Sequence, residues 1–211
     1  MVKKNTISKA TLGRLPIYLR YLKNISCEFI SSATMARDLS LGEVQVRKDL
    51  NIVSGVGKPK IGYLTTDLIQ SIEKCLGAGA CNNAVLIGAG KLGRALLNYK
   101  GFEEFGVKII AAFDNDKTKV DEKESIYIID DFETFCEKNG AQIGIIAVGA
   151  SSAQEVCDLM IKNNVKAIWN FAPCKLNLSN DVVFIQENLA LSLAYLNNQL
   201  MSKFLGGNNE I

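Results

Sequence analysis

Residues 83–95, NAVLIGAGKLGRA, constrain the fold more tightly than any other stretch of the chain. Ala84, Val85, Leu86 and Ile87 form an apolar run of the length of a buried parallel strand, and it ends in Gly88, Gly90 and Gly93, spaced G-x-G-x-x-G. Each glycine has a physical reason in a strand-turn-helix unit. Gly88 permits the tight turn out of the strand, Gly90 leaves bare backbone for a pyrophosphate, and Gly93 lets the next helix sit close to the sheet. With Ala89 and Leu92 completing the loop, the helix is expected to begin near Lys91 and to turn its unpaired amides toward the phosphates. Glycine-rich turns also occur as plain connections, so the motif needs support. Asp114 supplies it: it closes a second apolar run about twenty residues past the last glycine, where a carboxylate can bind a ribose diol. The same charge repels a nucleotide phosphorylated on its adenosine ribose, which disfavours NADP and coenzyme A.

The pattern continues beyond this unit. Apolar runs follow at residues 107–113, 126–129, 143–148, 167–171 and 182–185, with helical segments at 92–99, 132–138 (ended by Gly140) and 152–163 (ended by Asn164). Apolar strands with helices between them imply a doubly wound, Rossmann-like parallel α/β sheet, whose ligands sit at the carboxyl ends of the strands. Gly88, Asp114, Gly149 and Phe171 all fall at such ends, and one crevice is expected to collect them; singly, each is also an ordinary loop residue.

The 211 residues suffice for one large or two small domains, and a net charge of +2 hides an asymmetry. Residues 1–78 carry twelve Lys and Arg against six Asp and Glu, a balance of +6, and the remainder twelve against sixteen, a balance of −4. A basic front half suggests a polyanionic partner. There, Ser8 can cap a helix, Gly13 is a break, and Pro16 fits an opening turn, which predicts a helix from about Arg14 through Ile17, Leu19 and Leu22. Ser31 or Ser32 caps a short helix carrying Met35, Ala36 and Leu39; Gly42 marks a turn; a second helix carries Val44, Val46, Leu50 and Val53. Two short helices around a tight turn form a helix-turn-helix, with Gln45, Arg47 and Lys48 near the outward N-terminal half of the second, the part that enters a major groove. Arg and Gln can read guanine and adenine edges and Lys suits phosphate, whereas the plain alternative makes Arg47, Lys48 and Asp49 a solvated face. Glycines and Pro59 then break the helix, and a hairpin around Ile61, Tyr63 and Leu64 places Lys58 and Lys60 on a wing. Thr65 or Thr66 is expected to cap a helix through Ile69, Ile72 and Leu76, and Gly77 and Gly79 end the domain.

Residues 188–205 repeat Leu189, Leu193, Leu196, Leu200 and Phe204 at helical spacing, with Leu191, Ala194 and Tyr195 widening the stripe and Gly206 and Gly207 as caps. A helix apolar over so much of its circumference needs more cover than one sheet face, which points to a second subunit; folding onto its own domain is the alternative. No apolar run approaches the ~20 residues of a membrane span, and the basic, polar start lacks a secretion signal's apolar core, so a cytoplasmic location without membrane contact is expected. The six cysteines form no C-x-x-C pair and the chain has no histidine, which argues against a metal site and makes buried reduced thiols the expected state.

Taken together, ATLGRLPIYLRYL, SSATMARDLSLGEVQVRKDL, IGAGKLGRALLNYKGF, KIIAAFDND and NFAPCKLNL resemble the Rex family of redox-sensing transcriptional repressors over nearly the whole chain. The resemblance implies a homodimer with exchanged C-terminal helices, bound to double-stranded operator DNA and released when NADH rises relative to NAD. It implies domains at 1–79 (winged helix), 80–187 (Rossmann) and 188–211 (terminal helix). It assigns Gly88, Gly90 and Gly93 to the dinucleotide turn, Asp114 to the ribose, Gln45, Arg47 and Lys48 to the recognition helix, and Arg14 and Tyr99 to coupling between pocket and DNA-binding domain. Two departures stand out. The family's F-G-x-F-G and K-R-G-x-G-Y around the wing are replaced by IVSGVGKPKIG, and the family's acidic residue before the terminal helix, a partner for the arginine and tyrosine, is Ala190 in LALS. The rival expectations are an NAD-dependent oxidoreductase, for which the chain lacks histidine and a Tyr-x-x-x-Lys pair, and a DNA-binding protein whose Rossmann unit has lost redox sensing or holds coenzyme A.

Overall fold

Helix α1 (Lys9–Lys23) opens the described part of the computed structural model, which covers residues 7–79 and 81–205. The chain divides into two units, Met1–Cys81 with Glu103–Gly106, and Asn82–Phe102 with Val107–Ile211.

In the first unit Ser8 caps α1, its hydroxyl oxygen accepting the Thr11 amide at 3.1 Å. The helix runs through both Gly13 and Pro16, so the expected break and the start near Arg14 are corrected. Pro16 removes one ladder hydrogen bond, and burial of Leu15, Tyr18 and Leu22 along one face offsets that loss. After β1 (Phe29–Ile30), α2 (Ser32–Asp38) is capped by Ser31, and α3 (Glu43–Ser54) enters from Gly42. Strand β2 (Tyr63–Leu64) pairs antiparallel with β1, and a Lys58–Gly62 bridge closes the expected hairpin. Helix α4 (Thr65–Cys75) follows, with Leu64 rather than a threonine at its N-cap. Thr65 is buried and donates its hydroxyl to the Cys27 carbonyl at 2.7 Å, so the side chain read as a cap ties α4 to the segment before β1. Met35, Ala36, Val46, Leu50, Leu68 and Ile72 complete this core with the α1 residues.

The second unit is a six-stranded parallel sheet in the order β5-β4-β3-β6-β7-β8, built from β3 (Asn82–Ile87), β4 (Val107–Asp114), β5 (Ile126–Ile128), β6 (Ile143–Ile146), β7 (Ala167–Asn170) and β8 (Val183–Gln186). Val85 and Ile87 pack on one face with Phe113, Phe132 and Met160, and Ala84 and Leu86 on the other with Ala112 and Ile126. Burial on both faces is why these strands read as continuous apolar runs rather than alternating ones. Helices α6 (Phe132–Asn139) and α7 (Ala153–Lys162) bear on the first face and α5 (Lys91–Leu97) on the second. Chain order reverses between β3 and β6, which places the topological switch point directly after Ile87.

Helix α8 (Leu189–Leu200) continues into a π-helical turn, Met201–Leu205. Asn188 caps it by accepting the Leu191 amide at 3.1 Å. Leu189, Leu193, Leu196, Leu200 and Phe204 are all exposed, as are Val183, Phe184 and Ile185 of β8, so α8 is not folded down onto its own sheet. The expected Gly206 and Gly207 caps lie outside the described residues. Among the cysteines, Cys136 and Cys157 are buried, with burial pushing each thiol up to about 11, but Cys27 and Cys81 are exposed, which corrects the expectation of uniform burial.

Candidate functional site

The glycine loop adopts the geometry its sequence demands. Gly88 has φ +110°, and a Cβ there would lie 2.6 Å from the Ala147 carbonyl at the end of β6; a Cβ on Gly93 would collide with the Gly88 carbonyl oxygen. Loop, strand and helix are therefore packed backbone to backbone, which only glycine permits. Gly90 faces open space instead. It opens onto a crevice of about 420 Å³ at the switch point, shared with Gly88, Asp114, Lys119, Gly149 and Glu155.

Asp114 is buried at the end of β4, and its carboxylate is fully engaged. Oδ2 accepts the Ala89 amide at 2.8 Å, Oδ1 accepts the Asp116 amide at 2.9 Å, and the Lys119 ammonium donates to both oxygens at 3.1 Å. An ionised carboxylate offers about four lone-pair directions, so a diol can be accepted only where Lys119, itself half-exposed, swings aside. The residues fit a dinucleotide: bare backbone at Gly90, an acceptor at Asp114 and a crevice between them.

The other expected residues are placed differently. Ala89 acts through its amide, Gly93 is buried beneath the loop, and Lys91 is exposed at the first turn of α5. Phe171 does not join the crevice, correcting the expectation that one crevice collects all four strand ends. It packs on Trp169 with ring centroids 4.5 Å apart and the planes tilted by 55°, and, with Leu92, Phe184, Glu187 and Ala190, lines a second cavity of about 630 Å³. Position at a strand end, which is all that sequence spacing records, does not tell these two cavities apart. Tyr99 is exposed and meets Phe102 edge-on at 4.9 Å.

In the first unit, Arg47, Lys58 and Lys60 line one hollow of about 420 Å³ between α3 and the hairpin, together with Ser32, Asn51 and Tyr63. Tyr63 donates its hydroxyl to Asn51 at 2.8 Å, fixing the hairpin base to α3. Lys48 is exposed outside this hollow, and Gln45, exposed in the first turn of α3, donates its amide to Asp49 at 3.1 Å.

The plain alternative sets Asp49 with Arg47 and Lys48 on a solvated face, yet Asp49 is 1% exposed. Its position shares the apolar stripe of Val46, Leu50 and Val53, a helical-periodicity signal that the charge run obscures. Arg14 grips it with two bonds, Nε to Oδ2 at 2.7 Å and Nη2 to Oδ1 at 2.9 Å, while the Tyr18 hydroxyl donates at 2.8 Å and that of Thr11 at 3.0 Å. Burial alone raises the Asp49 pKa, but the bonds from Arg14, Tyr18 and Thr11 outweigh it and hold the carboxyl below its ordinary value. Burial and this carboxylate together push Tyr18 up to about 12.

Comparison with known proteins matches both units. Residues 6–51 match the family model described as "Putative DNA-binding protein N-terminus", and residues 81–174 match the one described as "CoA binding domain". The redox-sensing transcriptional repressor Rex of Treponema denticola is 38% identical, covering 96% of this chain and 100% of that protein. The crystal structure of RSP, a Rex-family repressor, in complex with beta-NAD+ and operator DNA superposes with a TM-score of 0.84 at 30% identity, covering 98% of this chain and 100% of that one. RSP in complex with beta-NADH gives 0.82, at the same identity and coverage.

Proposed function

This chain belongs to the Rex family of redox-sensing transcriptional repressors, and from that premise we propose that it binds operator DNA through α3 and the adjoining hairpin and releases it when NADH rises relative to NAD. The observation that carries the proposal is a pairing within one chain. Gly88, Gly90 and Asp114 line a switch-point crevice, while Arg47, Lys58 and Lys60 line a hollow beside a helix-turn-helix. On this reading Gln45 and Arg47 meet base edges, and Lys48, Lys58 and Lys60 meet phosphates.

NADH and NAD differ by one positive charge and by a puckered against a planar ring at the nicotinamide end. The crevice holds the shared adenosine end: Gly90 admits the pyrophosphate to bare backbone, and Asp114 accepts the ribose hydroxyls once Lys119 yields. Arg14 and Tyr99 carry the signal between units, in keeping with their matching family positions. We read the second unit as a sensor rather than a catalyst. The ionisable side chains lining the crevice are Asp114, Lys119 and Glu155, and the first two neutralise each other. The working form is a homodimer in which α8 covers a second copy, which accounts for its exposed leucines. Leu193→Glu is expected to halve the mass seen in light scattering after size exclusion.

Fluorescence anisotropy of a labelled palindromic operator duplex tests the function directly. NADH is expected to weaken binding relative to NAD; equal effects of the two would remove redox sensing while leaving DNA binding standing. Coenzyme A is favoured by the description of the matched domain and opposed by Asp114, whose charge repels its ribose phosphate. Displacement of NADH by coenzyme A at comparable concentration would reverse that order.

A further inference from the structure

The network around Asp49 does more than hold α1 to α3, because one of its donors is a side chain aimed outward. Asp49 Oδ1 accepts from Thr11, Arg14 Nη2 and Gln45 Nε2, and Oδ2 from Arg14 Nε and Tyr18. An ionised carboxylate only accepts, so the face that Gln45 turns to it must be its NH₂ group. That choice leaves Oε1 pointing away from Asp49, with one N–H of the same amide still unspent. The spacing is that of helical neighbours, i and i+4, and Gln45 is the third residue of α3, in the turn that meets base edges in a major groove. A carbonyl oxygen beside an N–H is the pattern that pairs with adenine, accepting from N6 and donating to N7.

We infer that Asp49 is a positioning residue for sequence reading: it presets the Gln45 carboxamide to recognise one adenine in each operator half-site. The inference deepens the proposed operator binding and depends on α3 being the helix that enters the groove. A free glutamine samples many rotamers and must freeze them on docking, whereas here the amide is oriented before DNA arrives. Arg14, Tyr18 and Thr11 fix Asp49 from α1, so the orientation of an outward side chain is set by a network lying beneath the helix. Arg47 and Lys48 make no bond to Asp49 and are outside this device.

The test is selection by the full-length chain, with NAD present, from duplex DNA randomised over two inverted half-sites. Wild-type protein is expected to enrich one A·T pair per half-site by about tenfold over the other bases, the discrimination of a bidentate contact. Gln45→Ala should erase preference at that pair alone. Asp49→Asn, checked for a folded state by circular dichroism, should reduce it below about threefold while pairs read by Arg47 keep their preference. A folded Asp49→Asn protein that still prefers the same A·T pair overturns the proposal, as does a Gln45→Ala protein with an unchanged pattern. Where Asp49→Asn does not fold, the Gln45 side-chain amide of the free wild-type chain is assigned in nitrogen-15 NMR spectra by its loss in Gln45→Ala. Two proton resonances displaced from the solvent-exposed glutamine position sustain the proposal, and a pair at that position overturns it. Wild-type protein that enriches no sequence removes the operator-binding reading as well, which separates that failure from a failure of Asp49 alone.

Discussion

A carboxylate buried beneath a helix whose outer face is polar has to be neutralised locally, and Asp49 takes five donated bonds to achieve it. Its pKa is held below the unfolded value of about 4, so its stabilising contribution is complete above that pH and is lost as pH falls through the lower folded value. Replacing it with Asn leaves Arg14 facing a neutral amide and is expected to cost about 3 kcal/mol at pH 7. In urea unfolding, the gap between wild type and Asp49→Asn should be largest near neutrality and should shrink below about pH 4; a gap constant down to pH 3 contradicts this account. Asp114 poses the opposite problem, since on the proposed reading its carboxylate serves a ligand as well as the Ala89 and Asp116 amides it already accepts. Asp114→Ala frees the Ala89 and Asp116 amides and removes the diol's acceptor. NADH affinity measured by calorimetry is expected to fall about 10- to 100-fold, the net worth of one charge-assisted hydrogen bond once the displacement of Lys119 is set against the diol's two, and the preference for NADH over NADPH should narrow.

At the scale of elements, what is legible in the sequence tracks how strongly burial writes itself into composition. The central strands β3, β4 and β6 are visible there because strands covered on both faces must be continuously apolar, and α3 is visible through Val46 and Leu50; β8 reads as an apolar run although all four of its residues are exposed. The mismatches fall where packing overrides local propensity. Helix α1 continues through Gly13 and Pro16 because its buried face spans them, Thr65 serves a distant carbonyl instead of a cap, and Phe171 lines the second cavity beside Trp169 instead of the crevice. Asp49 is hidden because a charged residue inside a charge run reads as solvated whatever its phase on the helix. The continuity of α1 has a consequence for stability. Gly13 is exposed in the helix interior, with nothing within 4 Å of the place a Cβ would take, so Gly13→Ala meets no obstacle and narrows only the unfolded chain. A gain of about 0.5–1 kcal/mol is expected, read as a higher midpoint in thermal unfolding followed by circular dichroism.

For the molecule as a whole, a sensor requires two binding equilibria that share a coupling free energy, and that coupling is reciprocal: if NADH weakens DNA binding, DNA weakens NADH binding by the same factor. Each equilibrium has its own candidate site in this chain, one in each unit. The link between them is where the sequence departs from its family. Arg14, the residue that the resemblance matches to a coupling role, has Nε and Nη2 of its guanidinium bonded to Asp49, and Ala190 stands where the resemblance implies an acidic partner of the arginine and tyrosine. On the proposed coupling, in which an acidic residue at this place partners the arginine, a methyl group supplies no such partner, so the coupling available to this chain is expected to lie near the low end of the usual range of about 1–3 kcal/mol. Ala190→Asp restores the carboxylate that the resemblance implies at this place. The ratio of operator Kd values with saturating NADH and saturating NAD, measured by anisotropy on one duplex at one salt concentration, is expected to rise about 5- to 10-fold in the variant while binding in NAD changes little. Fixed salt matters because phosphate contacts make every Kd steeply salt-dependent, whereas the ratio isolates the coupling. An unchanged ratio places the transmission elsewhere than the Arg14, Tyr99 and residue 190 set, and leaves the Asp49 network as the structural feature that ties Arg14 to α3.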